Sequence, residues 1–167
     1  ELCGKEERVA VTPDSVKKLS ADSSIQFFIQ SAAGRGAKFE DEDYRNAGAE
    51  IIDTAEGVYK NCDVVLKVAR PLESELPLLS ENQVLIGMLQ PHNHELKMAI
   101  AATGVTAFSM ELMPRISRAQ SMDVLSSQAN LAGYKAVLVA ATSYKKAMPM
   151  LITAAGTIKA ARVVVMG

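Results

Sequence analysis

Short apolar runs separated by polar or amphipathic stretches dominate the hydrophobic pattern of the chain. Runs of this kind are typical of strands buried in a parallel sheet. They predict strands at residues 25–29, 64–68, 83–89 and 105–110. Between the last two runs, Asn93 suits a helix N-cap and Gly104 suits the end of that helix. Strand, helix and strand form a βαβ unit with parallel strands, so the pattern predicts an α/β fold.

Helices and a further strand are predicted nearer the two ends of the chain. Thr12 and Pro13 mark a helix start, because threonine accepts hydrogen bonds from helix N–H groups and proline suits the first helical position. Residues 120–146 are expected to form one long helix whose stripe of small side chains packs tightly in the core. Residues 162–167 form an apolar run without alternation, which predicts a strand buried on both faces of a sheet.

Composition and charge exclude several functional classes. Hydrophobic residues make up 49% of the chain, enough to bury a core, and the formal net charge of −1 gives no footprint for binding nucleic acid. Cys3 and Cys62 lack the spacing of a disulfide framework or a zinc site. Lysines at 135, 145 and 146 interrupt the most apolar region, so no membrane span is expected. No basic segment followed by an apolar stretch is found, so no secretory signal is expected either.

The densest polar cluster follows the run at 105–110, at the carboxyl end of a predicted strand. Ligands of open α/β sheets bind at such ends. The cluster combines guanidinium, amide, carboxylate and hydroxyl groups, which suit an amide and a ribose, in the side chains of Arg115, Arg118, Gln120, Asp123 and Ser126. An alternative stands beside this interpretation. Ser117 or Gln120 would then cap the following helix, while the arginines pair with acids on the surface.

Weaker candidates occur earlier in the chain. Residues 32–36 contain two glycines but match neither a GxGxxG nor a P-loop spacing, so a tight turn is favoured over a phosphate site. His92 and His94 lack a third metal ligand. Lys67 lies in an apolar strand, and it either binds a ligand or lies at a sheet edge or on a solvent-facing surface. Arg8 forms either a surface ion pair or an anion contact.

Several longer motifs bear a specific resemblance. The motifs are RVAVTP at 8–13, VLKV at 65–68, MPRISRAQSMD at 113–123, LSSQANLAGY at 125–134 and ITAAG at 152–156. In the order and spacing of these motifs, the chain resembles the NAD(H)-binding component of nicotinamide nucleotide transhydrogenase, within the alanine dehydrogenase/transhydrogenase N-terminal domain family. The resemblance implies a Rossmann-like or flavodoxin-like parallel sheet flanked by helices.

The resemblance also implies an activity. NAD(H) would bind this component and pass hydride directly to NADP(H) on a partner domain, coupled to proton translocation by a membrane domain. Arg115, Asp123 and Ser126 would orient the nicotinamide, and Gln120 would face NADP(H). The component would form a homodimer on the cytoplasmic or mitochondrial matrix side of the membrane. Alone, the fragment is expected to be inactive, because the glycine fingerprint that holds the pyrophosphate should follow Gly167.

Two departures from the family bear on domain organisation. Glu1 matches the glutamate that ends the family's first strand, so this strand is expected to be missing. Lys159 and Ala160 replace a usual pair of prolines, which predicts a less rigid hinge. A linker is expected at 153–159. The resemblance therefore implies one domain over 1–150, followed over 151–167 by a hinge and the first strand of a truncated NAD-binding Rossmann domain.

Two other functions remain open. Alanine dehydrogenases resemble this chain at Arg8 and Lys67, which bind substrate there and would here be the relic of a substrate pocket. Those enzymes also use a histidine as acid–base group, at the position of Leu89, and His92 is three residues further on. The leucine favours a transhydrogenase over an amino-acid dehydrogenase. The third hypothesis is a non-catalytic remnant or interaction module.

Overall fold

The computed structural model describes residues 6–21 and 24–166, in which short strands alternate with helices. Internal contacts divide the chain into a first unit, Glu1–Ser121, and a second unit, Met122–Gly167. Residues Glu1, Cys3 and Gly167, on which part of the sequence analysis rests, lie outside the described residues. The domain limits at 1–150 and 151–167 stay a prediction.

The first unit contains two parallel sheets flanked by helices, which confirms the predicted fold class. One sheet pairs β1 with β2, and the other has the order β3-β4-β5. In chain order the elements are α1 (Pro13–Leu19), β1 (Phe28–Gln30), α2 (Asp41–Asn46), β2 (Glu50–Ile52), α3 (Ala55–Asn61), β3 (Val64–Leu66), β4 (Val84–Gly87), α4 (His94–Ala102) and β5 (Thr106–Ser109). Turns of 3₁₀ helix occur at Arg35–Ala37, Leu76–Leu78, Met110–Leu112 and Ser117–Met122.

Local sequence signals account for the helix ends. The Thr12 hydroxyl accepts a hydrogen bond from the Ser15 N–H at 3.3 Å, which confirms the predicted start of α1. Asn93 Oδ1 accepts one from the Leu96 N–H at 3.1 Å and starts α4. Gly104 follows α4 with φ of 78°, a left-handed conformation that glycine adopts without strain.

The strands are shorter than predicted, because only residues opposite a partner strand join a ladder. β1 begins at Phe28 rather than at residue 25, since β2 offers three partners, Glu50–Ile52. In the other sheet, Leu85 of β4 lies opposite Val65 on one side and Ala107 on the other. The parallel pairing of β4 with β5 confirms the predicted βαβ unit.

Two apolar clusters support these sheets. The larger one surrounds Leu85, which is fully buried, and contains Tyr59, Val65, Leu79, Leu89, Leu96 and Ile100. The smaller one contains Val16, Tyr44 and Ala49. The buried amide of Gln83 borders the larger cluster, donating to the carbonyls of Tyr59 and Cys62 at 2.6 and 2.7 Å and accepting from Ser80 N–H at 2.8 Å. This amide therefore enters the core with its polar atoms bonded, as buried polar groups require.

The second unit consists of a long helix and a hairpin. The helix α5 spans Val124–Tyr144 and ends at Lys145, whose φ is 55°. The strands β6 (Leu151–Thr153) and β7 (Gly156–Ile158) pair antiparallel around a turn that contains Gly156 at φ of 130°. A hairpin thus occupies most of the segment for which a linker was expected.

Three expectations about this part of the chain need correction. The long helix begins at Val124 rather than 120, because Ser117–Met122 adopts a 3₁₀ turn and Asp123 is the cap. No residue of α5 is buried, so its small side chains do not form a core stripe. Residues 162–166 form no strand, and Met166 is 91% exposed. An apolar run becomes a buried strand only when a neighbouring strand pairs with its backbone N–H and C=O groups. Among the described residues, no strand pairs with this run.

Candidate functional site

The carboxyl ends of β4 and β5 lead into segments that carry several polar side chains. After β5 the chain turns through Met110–Leu112, where the Met113 N–H donates to the Met110 carbonyl at 3.3 Å. Within this turn, the carboxylate of Glu111 accepts hydrogen bonds from the backbone N–H groups of Leu89 at 3.1 Å and Gln90 at 2.9 Å. It also accepts one from the Ser109 hydroxyl. Glu111 thus joins the ends of β4 and β5, and sequence analysis missed this role.

The environment of Glu111 favours its ionised form. Burial by itself would raise the pKa of this carboxyl group. Hydrogen bonds from the Ser109 hydroxyl and from backbone N–H groups outweigh burial and lower the pKa below its ordinary value of 4.5. Glu111 therefore acts as a hydrogen-bond acceptor at neutral pH.

Arg115 and Gln120 lie on the segment that follows, residues 112–120, which we call the arginine loop. Both side chains are exposed, as is that of Arg118. The loop turns tightly, with the Ile116 N–H donating to the Pro114 carbonyl at 2.9 Å, and it is held near its end by Ala119, which is 4% exposed. The loop is thus fixed just before its start by the hydrogen bonds of Glu111 and near its end by the buried Ala119. The polar side chains of Arg115, Arg118 and Gln120 remain exposed.

The arginines of this loop do not form the surface ion pairs that the alternative interpretation required. In residues 6–21 and 24–166, no carboxylate lies within 4.0 Å of the guanidinium group of Arg115 or Arg118. Their donors are therefore available to a ligand as far as the described residues are concerned. A guanidinium fork suits the carbonyl oxygen of an amide, a carboxylate or a phosphate.

Asp123 and Ser126 are brought together at the start of α5. Asp123 Oδ1 accepts from the Ser126 N–H at 2.9 Å, and Oδ2 accepts from the Ser126 hydroxyl at 2.6 Å. Asp123 is 9% exposed and is the N-cap, so neither Ser117 nor Gln120 caps this helix, contrary to the alternative interpretation. Asp123 and Ser126 belong to the second unit, whereas Arg115 and Gln120 belong to the first. Clustering of all four side chains stays a prediction.

Lys67 forms a buried ion pair at the end of β3. Its Nζ lies 2.8 and 3.0 Å from the two carboxylate oxygens of Glu75, and the exposed fractions of the two side chains are 8% and 14%. Glu75 also accepts from the Leu72 N–H at 2.7 Å. The solvent-facing alternative for Lys67 is therefore wrong, because its side chain is buried with a partner, as buried charges require. The sheet-edge alternative agrees with the structure, since β3 is an outer strand of the β3-β4-β5 sheet.

Arg8 forms a local pair near the start of the described residues. Its Nε and Nη2 donate to the two carboxylate oxygens of Glu6 at 2.7 and 2.8 Å, and 46% of its side chain is exposed. This geometry matches the surface-pair alternative. Exposed pairs of this kind add about 1 kcal/mol or less to stability. A substrate-pocket role for Arg8 and Lys67 stays a prediction.

Leu89 occupies the position at which an acid–base histidine was considered. Its side chain is 4% exposed and packs in the larger apolar cluster. His92 and His94 are exposed, in the loop before α4 and at its first residue. Over the described ranges, no three His, Cys, Asp or Glu side chains group as a metal site would require. This end of the sheet therefore offers hydrogen-bonding groups, but it has no general base at the position of Leu89.

The glycine-containing segment after β1 is a closed turn, as predicted. Asp41 accepts hydrogen bonds from the Ser31 hydroxyl and the Ala32 N–H, each at 2.7 Å. The Ser31 bond first and then the Ala32 bond lower the pKa of Asp41 below its ordinary value. Because the carboxylate of this chain already occupies these donors, the turn is not organised as a phosphate cradle.

None of the helices in the described ranges combines the length and the apolar character that crossing a membrane requires. Cys62 is a partly buried free thiol, and burial raises its pKa, so it is largely protonated at neutral pH.

Comparison with known proteins gives consistent relatives. Residues 1–132 match the family described as alanine dehydrogenase/PNT, N-terminal domain. The chain is 45% identical over 170 residues to an NAD(P) transhydrogenase subunit alpha protein of Rhodospirillum rubrum, covering 97% of this chain and 44% of that protein. The crystal structure of transhydrogenase from Sinorhizobium meliloti aligns with a TM-score of 0.89 at 47% identity, covering 96% of this chain and 48% of that one.

A second group of relatives is more distant. Alanine dehydrogenase 2 of Staphylococcus aureus is 35% identical over 147 residues, covering 87% of this chain and 38% of that protein. The chain thus spans less than half the length of these relatives. The family match covers most of the chain, and it includes both parallel sheets and the arginine loop. The chain therefore belongs to the alanine dehydrogenase/PNT N-terminal domain family.

Proposed function

We propose that the chain is the NAD(H)-binding part of a proton-translocating NAD(P) transhydrogenase. The arginine loop is the main support, because it presents Arg115 and Gln120 to solvent at the carboxyl edge of a parallel sheet, where ligands of such folds bind. The similarity to transhydrogenases of Rhodospirillum rubrum and Sinorhizobium meliloti supports the same activity.

The side-chain types of the four predicted site residues fit a nicotinamide. Its carboxamide has one acceptor oxygen and a donor NH₂ group, which match a guanidinium and a carboxylate or hydroxyl. In this proposal Arg115, Asp123 and Ser126 orient the carboxamide and ring, and Gln120 faces the NADP(H) nucleotide. The bound nucleotides supply the hydride chemistry. The chain contributes by orienting the nicotinamide, so that the reactants reach a reactive geometry more often.

The buried Leu89 supports hydride transfer over amino-acid oxidation. Oxidation of an amino acid at carbon requires a group that accepts the proton of the amine or water, whereas transfer between two nicotinamides requires none. Leu89 lies in the apolar core and has no titratable group. The alanine dehydrogenase relatives and the buried Lys67 favour an alanine dehydrogenase-like enzyme as the second candidate. The ion pair with Glu75 engages both oxygens of the carboxylate, so Lys67 has a structural role without any substrate.

The proposal includes partners. An NADP(H)-binding domain and a proton-conducting membrane domain would complete the enzyme, on the cytoplasmic or mitochondrial matrix side, and the chain would act as a homodimer. Exposed apolar side chains of the second unit support association with further protein surface, among them Leu131, Tyr134, Val137 and Ile152. The domain limits of 1–150 and 151–167 belong to this proposal as well.

The two candidates are separated by assaying the complete enzyme, assembled from the full-length protein, its NADP(H)-binding domain and the proton-conducting membrane domain. We expect reduction of an NADP⁺ analogue by NADH, and no NAD⁺ reduction that depends on alanine. Appreciable alanine-dependent reduction without transfer between the nucleotides would contradict the proposal and favour the second candidate.

A further inference from the structure

Glu111 is a carboxylate at the sheet edge whose hydrogen bonds reach across two strands. Leu89 and Gln90 follow β4 after one intervening residue, Met88, whereas Ser109 ends β5. The bonds from Leu89 and Gln90 span 22 and 21 residues of sequence. The carboxylate therefore fixes the end of one strand to the turn that follows its neighbour.

The arginine loop begins directly after this carboxylate. Arg115 is four residues from Glu111, and Ala119 is buried a further four residues on. Local backbone hydrogen bonds donated by the N–H groups of Met113 and Ile116 limit the conformational freedom of the chain between Glu111 and Ala119. A shift of the turn at Glu111 therefore also moves Arg115, because the backbone between the two residues has little conformational freedom.

We propose that Glu111 is a positioning residue for hydride transfer, which fixes the start of the arginine loop and thereby the placement of Arg115 and Gln120. This inference rests on the proposed function of that loop. Glu111 touches neither nucleotide in this proposal. Its role is to hold the guanidinium and amide groups where the two nicotinamide rings meet.

The hydrogen-bonding capacity of the side chain makes the proposal testable. A carboxylate has two acceptor oxygens, and here they receive three donors. Glutamine keeps the size of glutamate but offers one acceptor oxygen and an NH₂ group, which would face backbone N–H donors. Glu111→Gln therefore loosens the turn without emptying space in the core. Ser109→Ala removes a single donor from the same carboxylate and is the milder variant.

The test measures single-turnover hydride transfer from NADH to an NADP⁺ analogue in the complete enzyme, together with NADH affinity and the thermal unfolding midpoint. We expect Glu111→Gln to slow transfer about 10- to 100-fold, as a displacement near 1 Å at a reaction centre does. Because the loop controls geometry more than affinity, the Kd for NADH should change by about twofold or less. Ser109→Ala should slow transfer less, and the exposed Glu73→Gln is the matched control.

The double variant with Arg115→Ala identifies the route of the effect. If Glu111 acts through the arginine loop, Glu111→Gln slows the Arg115→Ala enzyme less than it slows the parent, because only its effect through Gln120 remains, whereas a general loss of stability would slow both backgrounds equally. Additive slowing, or a parent rate in Glu111→Gln beside a slow Arg115→Ala, would overturn this inference and leave the proposed function standing. A parent rate in Arg115→Ala would overturn both. Should Glu111→Gln fail to fold, Ser109→Ala and its double variant with Arg115→Ala give the same comparison.

Discussion

Two loops of the first unit follow the carboxyl ends of parallel strands, and in each a carboxylate accepts hydrogen bonds from a strand-end serine and from backbone N–H groups. After β1, Asp41 bonds to Ser31 and to the neighbouring Ala32. After β5, Glu111 bonds to Ser109 but also to a different strand end, at Leu89 and Gln90.

The difference lies in what each carboxylate holds. Asp41 closes one segment on itself within 10 residues, and its turn leads into α2. Glu111 connects two strand ends, and its turn leads into a loop whose arginines are exposed. A similar hydrogen-bonding pattern thus produces a closed turn in one place and a fixed start for a loop with exposed arginines in the other. Its role depends on which backbone donors lie nearby.

The largest expected effect concerns the core beneath the Glu111 loop. Leu85 is fully buried between the strands on either side of it, so Leu85→Ala should leave a cavity and lower the free energy of unfolding by about 2–5 kcal/mol. Urea unfolding measures the loss. Leu131→Ala in α5, where the side chain is 58% exposed, is the control and should cost much less. Equal losses would show that the sheet core does not dominate stability.

A smaller effect is expected at the closed turn after β1. Asp41→Asn keeps the shape of the side chain but replaces the charged acceptor, so the hydrogen bonds from Ser31 and Ala32 become weaker. The free energy of unfolding should fall by about 1 kcal/mol. Hydride transfer in the complete enzyme should stay at the parent rate. A slowing of transfer as large as that of Glu111→Gln would remove the distinction between the two loops.

The smallest effect is a change in the pH dependence of stability. The pKa values of Glu111 and Asp41 are lowered in the folded chain, so the unfolded state binds more protons and stability rises with pH. The contribution is present above the ordinary values of 4.5 and 3.8 and is lost as pH falls through the lowered pKa values.

Glu111→Gln should flatten this dependence. Between about pH 5 and pH 3, the free energy of unfolding of the parent should fall more steeply than that of the variant, which keeps the contributions of Asp41 and Glu6 but loses that of Glu111. Urea unfolding at a series of pH values measures both slopes, with Glu73→Gln as reference. Parallel slopes in parent and Glu111→Gln would contradict a lowered pKa for Glu111.

Local chemistry explains which features the sequence predicted. The caps at Thr12 and Asn93 depend on hydrogen bonds over three residues, and the parallel pairing of β4 and β5 follows from the helix between them. The resemblance pointed to the segment that contains Arg115 and Gln120, and the structure gives both side chains an exposed position.

Other features depend on partners that sequence spacing does not reveal. Glu111 was missed because its backbone donors lie 21 and 22 residues away, where no local pattern points to them. The pairing of Lys67 with Glu75 spans eight residues across a loop. The expected burial of α5 and of residues 162–166 failed for the same reason, since an apolar pattern specifies a face that can be buried but not the surface that covers it.

The most direct test of the account compares the rate of hydride transfer with the affinity for NADH in variants of the arginine loop. In the complete enzyme, Arg115→Ala and Gln120→Ala should each slow stopped-flow transfer from NADH to an NADP⁺ analogue by about 100-fold, while the Kd for NADH changes by about twofold or less. Arg35→Ala, which removes an exposed arginine from the closed turn after β1, is the matched control and should transfer at the parent rate. Transfer at the parent rate in Arg115→Ala and Gln120→Ala would contradict the account.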